Sequence, residues 1–131
     1  NTHFDHVGEQ ARQESARLIR RRLAALADGL PVVVTGDLNA GPASEPYRIL
    51  TRDTVGAAPL RDALAASREG HYGPTSTWTA FRAIEPGRRI DYVLVSAQVR
   101  VLKHAILPDS WDGRFPSDHL LVLASVEPGC G

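Results

Sequence analysis

Apolar residues fall along this chain in two rhythms, one helical and one of short β-branched runs. Over residues 7–26 they recur at helical spacing: Val7, Ala11, Leu18, Ile19, Leu23 and Leu26, with the small Ser15 on the same stripe. The other faces carry Arg12, Arg17, Arg20, Arg21 and Arg22 beside Glu9 and Glu14, as in an amphipathic surface helix with a solvated arginine-rich side. Asp28-Gly29 ends it, and Pro31 cannot continue it. The pattern then changes. Residues 31–35 are a continuous Pro-Val-Val-Val-Thr run, as expected of a strand buried on both faces. Residues 89–96, 99–107 and 119–126 read as three more strands, and residues 75–81 alternate threonine with aromatic side chains as a strand does.

The segments between are shorter. Residues 1–4 read as the end of a strand that begins before the sequence does. Residues 44–50 read as a short helix, opened at Ser44 or Ala43, with Glu45 and Pro46 in its first turn. Residues 52–59 are turn-like, and residues 60–67 fit a short strand or a helical turn equally well. A Gly-rich loop over 69–74 and the turn Glu85-Pro86-Gly87 complete the pattern. A strand–helix–strand opening followed by a run of strands predicts an α/β fold with a mixed sheet.

Polar residues that suit chemistry stand where these apolar runs begin or stop. Asp37 and Asn39, in Gly36-Asp37-Leu38-Asn39, follow a buried strand, the usual position for sites in α/β proteins. A carboxylate there accepts a proton from water, while an amide donates to developing phosphoryl charge; an Asx-type turn explains the same residues without chemistry. Asp91 is wedged into an apolar strand and needs a partner, either His119 or the neighbouring Arg88 and Arg89. Histidine as a residue type suits proton exchange, and His119 needs a partner to fix its tautomer. Asp118 offers a hard oxygen ligand suited to Mg²⁺ or Mn²⁺. His3 interrupts a strand end on the same expected side, whereas Asp5 and His6 suit helix capping. Trp78, Phe81 and Trp111 suit core or rim positions, with Trp111, in the loop before Asp118-His119, the better placed for substrate.

Charge and length narrow the classes. With 131 residues the chain is one domain, and Lys+Arg and Asp+Glu are equal at 15 each, so no global basic field gathers duplex DNA. No apolar run reaches the roughly 20 residues of a membrane span. Cys130 is the only cysteine, so neither a disulfide framework nor a cysteine-built zinc site is expected.

Together, Asn1-Thr2-His3-Phe4-Asp5-His6, Gly36-Asp37-Leu38-Asn39, Arg89-Ile90-Asp91-Tyr92 and Ser117-Asp118-His119 closely resemble the endonuclease/exonuclease/phosphatase superfamily. The resemblance implies a Mg²⁺- or Mn²⁺-dependent phosphoesterase, whether phosphodiesterase, phosphatase or nuclease. In it His119 is the catalytic histidine and Asp91 its orienting carboxylate. Asp37 and Asn39 activate water and stabilise pentacoordinate phosphorus, His3 touches the scissile phosphate, and Asp118 helps Asp37 and Asn39 hold the metal. Members carry an asparagine and a metal-binding glutamate in an N-terminal half with no counterpart here. Residues 1–131 are therefore expected to be the C-terminal half of such a domain, half of a four-layer α/β sandwich with a mixed, mostly antiparallel sheet and helices on one face. Alone it is expected to be inactive, to leave one sheet face bare, and to pair with the missing half or with itself. The expected substrates are a phosphorylated small molecule, a lipid head group or nucleic acid. The alternative is a non-catalytic module of the same fold that binds a phosphorylated ligand.

Overall fold

A computed structural model describes residues 1–53 and 58–129. Cys130 and the middle of the turn expected over 52–59 lie outside them. No helix among the described residues is long and apolar enough to cross a membrane.

The chain runs β1 (Thr2–His3), α1 (Glu9–Leu26), β2 (Val33–Asp37), α2 (Glu45–Thr51), β3 (Arg61–Asp62), α3 (Ala63–Ala66), β4 (His71–Tyr72), β5 (Asp91–Val95), β6 (Val99–Leu107) and β7 (Leu121–Pro128). Residues 60–67, which fit strand or helix, hold both: β3 runs into α3, whose first turn is capped by the Asp62 carboxylate accepting from the Leu64 amide at 3.0 Å. The elements form two sheets rather than one, in the orders β1-β2-β5-β3 and β4-β6-β7. Three of the pairings are antiparallel; β1–β2 and β4–β6 are parallel. This is an α/β architecture with mostly antiparallel sheets.

α1 and α2 cover one face of the first sheet. Phe4, Val34, Leu38, Tyr92 and Leu94 pack there with Ala16, Ile49 and Leu50. The buried face of α1 is rotated from the expected stripe. It runs through Ala16, Ile19, Arg20 and Leu23, while Val7, Leu18 and Leu26 are exposed. Arg20 is therefore not on the solvated face: its guanidinium donates to the carbonyls of Ala58 and Asp53. Upstream, the Asp5 carboxylate accepts from the Gly8 and Val7 amides at 2.5 and 2.7 Å, which holds its pKa below the usual value; this is a turn ahead of the helix, whose N-cap Gly8 has no side-chain cap bond, so Asp5 does not cap α1 as expected.

The expectation of a bare second face needs correction. Val93 and Val95 of β5 are buried, because the second sheet folds back on them: Val99, Val101, Val122, Ala124 and Val126 meet them together with Ala63 of α3. What stays exposed is narrower, namely Val33, Leu121 and Leu123 at 45%, 65% and 53%.

The stretch over 75–81 also differs from its expected strand. Only Trp78 makes a bridge, to His119, and Ala80 and Phe81 turn away with positive φ of 51° and 60°. The threonine alternation serves hydrogen bonding instead. The Thr77 hydroxyl accepts from the Ile90 and Asp91 amides at 3.0 and 3.2 Å, and that of Thr79 donates to the Ser117 and Asp118 carbonyls at 3.1 and 3.0 Å. Two fully buried hydroxyls thus stitch the start of β5 to the segment that carries His119.

Gly36 explains how β1 reaches its neighbour. A Cβ at this position, where φ is +150°, would lie 1.9 Å from the Thr2 carbonyl oxygen. Gly36→Ala is expected to force β1 off β2 and cost on the order of 2 kcal/mol. Loss of hydrogen-exchange protection at the Phe4 amide, which donates to the Asp37 carbonyl at 2.8 Å, would report it. Unchanged protection would show that the strands can shift to accept the methyl group.

Candidate active site

Register places the first three side chains. His3 of β1 lies opposite Asp37 of β2, and Asp37 lies opposite Asp91 of β5, so three adjacent strands present one row at their ends. Two carboxylates directly across an antiparallel pair repel, and this arrangement needs compensation. His119 provides part of it. Its Nδ1 meets Asp91 Oδ2 at 2.8 Å, while its Nε2 stands 3.9 Å from Asp37 Oδ2. The arginines that compete for Asp91 are engaged elsewhere: Arg89 pairs with the buried Asp62, and Arg88 lies 3.4 Å from Glu85.

Because a carboxylate only accepts, the His119 Nδ1 carries the proton and Nε2 keeps its lone pair. Nε2 faces Asp37 across a gap too long for a direct hydrogen bond. His3 has a similar arrangement: its Nδ1 donates to the Phe4 carbonyl at 2.9 Å, and its Nε2 is 3.5 Å from Asp37 Oδ2. Asp37 is buried and Asp91 nearly so, whereas His3 is exposed.

The loop after β2 forms the Asx-type turn that the sequence allows. The Asn39 amide N–H donates to Asp37 Oδ1 at 2.7 Å, an Asx turn, with Asn39 in the left-handed region at φ 45°. Its side-chain Nδ2 donates to Asp37 Oδ2 and to the Phe4 carbonyl, each at 3.0 Å. The turn therefore orients the carboxylate toward the histidines rather than excluding chemistry there.

Burial pushes the Asp91 carboxyl up from its ordinary value, with hydrogen bonds from Thr77 and His119 pulling it down and the Asp37 charge adding to the rise. The folded chain thus holds the Asp91 proton more tightly than the unfolded chain does. Its stabilising effect is complete below the unfolded value of about 3.8 and is lost as pH rises through the raised one. An asparagine side chain at this position does not ionise, and its amide oxygen still accepts from His119 Nδ1. Asp91→Asn is therefore expected to unfold at the same or a higher temperature than the parent at pH 7, with the gap closing in acid. A clear loss of stability at pH 7, measured by thermal unfolding, would contradict this.

Trp78 belongs to the site and was not legible as such. Its ring meets the His119 ring edge-on at 4.8 Å, with Arg88 stacked 5.2 Å from the indole centroid. The Asp118 carboxylate, in contrast, does not join the group of ligating atoms. Oxygens of Asp37 and Asp91 and a nitrogen of His119 lie within 4.8 Å of one another, whereas the Asp118 carboxylate accepts from the Ser117 hydroxyl at 3.4 Å. A cleft of about 340 Å³ opens over the row, lined by His3, Gly36, Asp37, Asp91 and Leu121 among others. Trp111 and His119 line a smaller hollow beside it.

A His–Asp pair with a second carboxylate and an amide thus stands at the rim of an α/β sheet. The sequence profile of the Endonuclease/Exonuclease/phosphatase family matches residues 1–119, and the chain belongs to that family. A comparison with curated proteins gives no match. Among solved structures, the endonuclease/exonuclease/phosphatase from Bacteroides vulgatus is 35% identical with a TM-score of 0.87, over 98% of this chain and 48% of that one. A mannosyl-6-phosphatase from Bacteroides thetaiotaomicron is 29% identical with a TM-score of 0.85, over 95% of this chain and 49% of that one. The catalytic domain of human Nocturnin, solved with a sulfate anion, shares the fold at 24% identity and a TM-score of 0.70, over 96% of this chain and 45% of that one. The chain thus spans about half the length of these relatives.

Proposed function

We propose that this chain carries the histidine-bearing part of a phosphoester-hydrolysing centre, and that it corresponds to the C-terminal half of its relatives' catalytic domain. The observation that supports this most is the His119–Asp91 contact of 2.8 Å, set beside Asp37 and His3 on one strand-end row. In this reading Asp91 fixes the His119 tautomer, so that Nε2 and the Asp37 carboxylate hold a water between them and take its proton as it attacks phosphorus. The Asn39 side chain, whose two N–H groups hold Asp37 Oδ2 and the Phe4 carbonyl, turns one of them to charge developing on the phosphoryl oxygens, and His3 contacts the phosphate. Trp111 bounds the rest of the substrate.

The donor set fits a hard divalent cation, Mg²⁺ or Mn²⁺, in part. Asp37 and Asn39 offer oxygens at one edge, where such an ion wants six or more ligands. Asp118, outside the compact group of Asp37, Asp91 and His119, is expected to join them when the ion binds. When bound, the ion polarises the phosphoryl group. The resemblance implies that a glutamate and an asparagine from the N-terminal half supply what this row lacks, and Val33, Leu121 and Leu123 offer that half an apolar surface to pack on. In its absence the same surface favours self-association.

The mannosyl-6-phosphatase relative favours a phosphatase over a nuclease, as does the even charge balance. The test is release of product from 4-nitrophenyl phosphate and bis(4-nitrophenyl) phosphate, with and without Mg²⁺, by a form extended to the length of its relatives. Mg²⁺-dependent turnover is expected. Its absence on both esters, with phosphate still bound at His3 and His119, would favour a non-catalytic binding module.

A further inference from the structure

Two histidines outside the active site meet in a contact of their own. His71 of β4 lies opposite His104 of β6 in parallel register. Their Nδ1 atoms stand 2.9 Å apart, with the rings tilted at 47°. His104 is buried and His71 half-buried. The other nitrogen of His71, Nε2, lies 2.9 Å from the Pro74 carbonyl.

A carbonyl only accepts, so His71 Nε2 carries a hydrogen, and in the neutral ring its Nδ1 keeps the lone pair. The hydrogen between the two Nδ1 atoms therefore comes from His104. One added proton is accommodated. Placed on the half-buried His71, it makes that Nδ1 the donor, while His104 carries its own hydrogen on Nε2. A second proton is not accommodated, because two N–H groups and two like charges would then face each other at 2.9 Å.

The surroundings do not relieve this. β7 sets Ala124 opposite His104, and α3 is Ala-Leu-Ala-Ala. Asp62 and Arg89 are paired with each other, as are Lys103 and Glu69 on the exposed side. Burial first, and then His71, hold the His104 pKa down at about 4, with Asp62 opposing the fall and Arg89 adding to it. The folded value lies below the ordinary 6.5, so the stabilising effect of a neutral His104 is complete above 6.5 and is lost as pH falls through about 4.

The chain around this contact has little freedom. Gly73 follows β4 with φ +90°, and a Cβ there would lie 2.0 Å from the Ile106 carbonyl oxygen, so the backbone runs hard against β6. Three residues past Pro74, the Thr77 hydroxyl accepts from the Ile90 and Asp91 amides, and the Thr77 carbonyl accepts from the Leu120 amide at 2.7 Å. The histidine pair thus anchors one end of a segment whose other end holds the backbone beside Asp91 and His119. We infer that His71 and His104 form an acid-opened latch: one shared hydrogen keeps β4 on β6, and a proton on both rings releases residues 67–76 and slackens the site.

The test is NMR titration of the His71 and His104 ring nitrogens together with amide hydrogen exchange, in the form extended to the length of its relatives. Two separate steps are expected, the second near pH 4. At that step the protection factors of the Glu69 and Thr77 amides, which donate to the Leu102 and Arg88 carbonyls, should fall about tenfold or more, and that of the Asp91 amide should follow. The Ser96 amide, bonded to the Val32 carbonyl, should keep its protection. His104→Asn retains a donor at the Nδ1 position without a titrating ring, and should abolish the loss at Glu69 and Thr77. His71→Asn retains an acceptor for His104 and should do the same, each variant being compared with its own protection at pH 7. A single step shared by both rings near the ordinary value overturns the latch. So does protection that falls equally in parent and variants, or that falls at Ser96 together with Glu69, which is acid unfolding of the whole domain. An Asp91 amide that stays protected while Glu69 opens overturns the link to the site.

Discussion

Alanine at position 119, in a form extended to the length of the relatives, is expected to lower phosphoester turnover by about 10²- to 10⁴-fold, the usual contribution of a positioned general acid or base. His119 is held by three independent contacts: Asp91 Oδ2 at 2.8 Å, the edge-on Trp78 ring at 4.8 Å, and the backbone bridge between Trp78 and His119. Its free Nε2 is the only nitrogen of the pair left to exchange a proton. Asp91→Ala should fall within the same range, because Asp91 works through the imidazole. The double variant should then be no slower than about the slower single one, since residues that act as a unit are not additive. Values of kcat/KM for the four forms decide this. An additive double variant would mean that Asp91 has a role of its own. The 131-residue chain by itself should turn over little, because its carboxylates furnish only one edge of a hard cation's shell. Robust Mg²⁺-dependent turnover by it, lost in His119→Ala, would show that residues 1–131 are sufficient.

Much of this architecture could be read from the sequence where elements are long and one-sided. β6 occupies the residues 99–107 expected of it, and α2 begins after Ser44 as its capping residues suggested. The short elements were not legible. β1, β3 and β4 have two residues each, too few for any period to show. Arg20 was assigned to solvent because five arginines on one helix look alike in sequence. Its burial depends on the carbonyls of Asp53 and Ala58, some 33 and 38 residues away, that receive its guanidinium. The same limit applied to residues 75–81. Alternating threonines look the same whether they form a strand or bond through their hydroxyls to distant backbone, and here Thr77 and Thr79 do the latter. For the site, the order of the polar blocks predicted which residues would meet. It did not predict that Trp78 would abut His119, nor that the group formed by Asp37, Asp91 and His119 would form without Asp118.

A second group of polar residues sits beneath the site, and removing one member should be the most destabilising change in the chain. The Arg89 guanidinium bonds the Asp62 carboxylate with both side chains nearly fully buried, and Tyr47 donates its hydroxyl to the same carboxylate at 2.9 Å. Arg89 also lies over the Tyr92 ring at 4.6 Å, and the Tyr92 hydroxyl lies 2.8 Å from both the Ala40 and Arg89 carbonyls. Asp62 offsets the cost of burying the guanidinium and raises its pKa, so Arg89 stays charged. Burial and the Asp62 charge likewise push the Tyr47 hydroxyl up to about 12. Asp62→Ala leaves a buried cation with no counter-charge, a loss of about 3–5 kcal/mol in comparable pairs. That is a large share of the roughly 5–15 kcal/mol that stabilises a domain. Replacing both partners with apolar residues of similar size, as in Asp62→Leu with Arg89→Met, removes the charge together with its partner and should cost far less. Urea unfolding of the two variants beside the parent, with the slope unchanged so that midpoints compare stability, separates the cases. The consequence reaches the site because Arg89 and Tyr92 flank Ile90-Asp91, and Tyr92 bonds the carbonyl just beyond Asn39. Asp62→Ala should therefore also loosen the His119–Asp91 contact, seen as loss of the downfield His119 Nδ1 proton signal. A single variant as stable as the double one, with that signal intact, would show that the ion pair neither holds the fold nor positions the site.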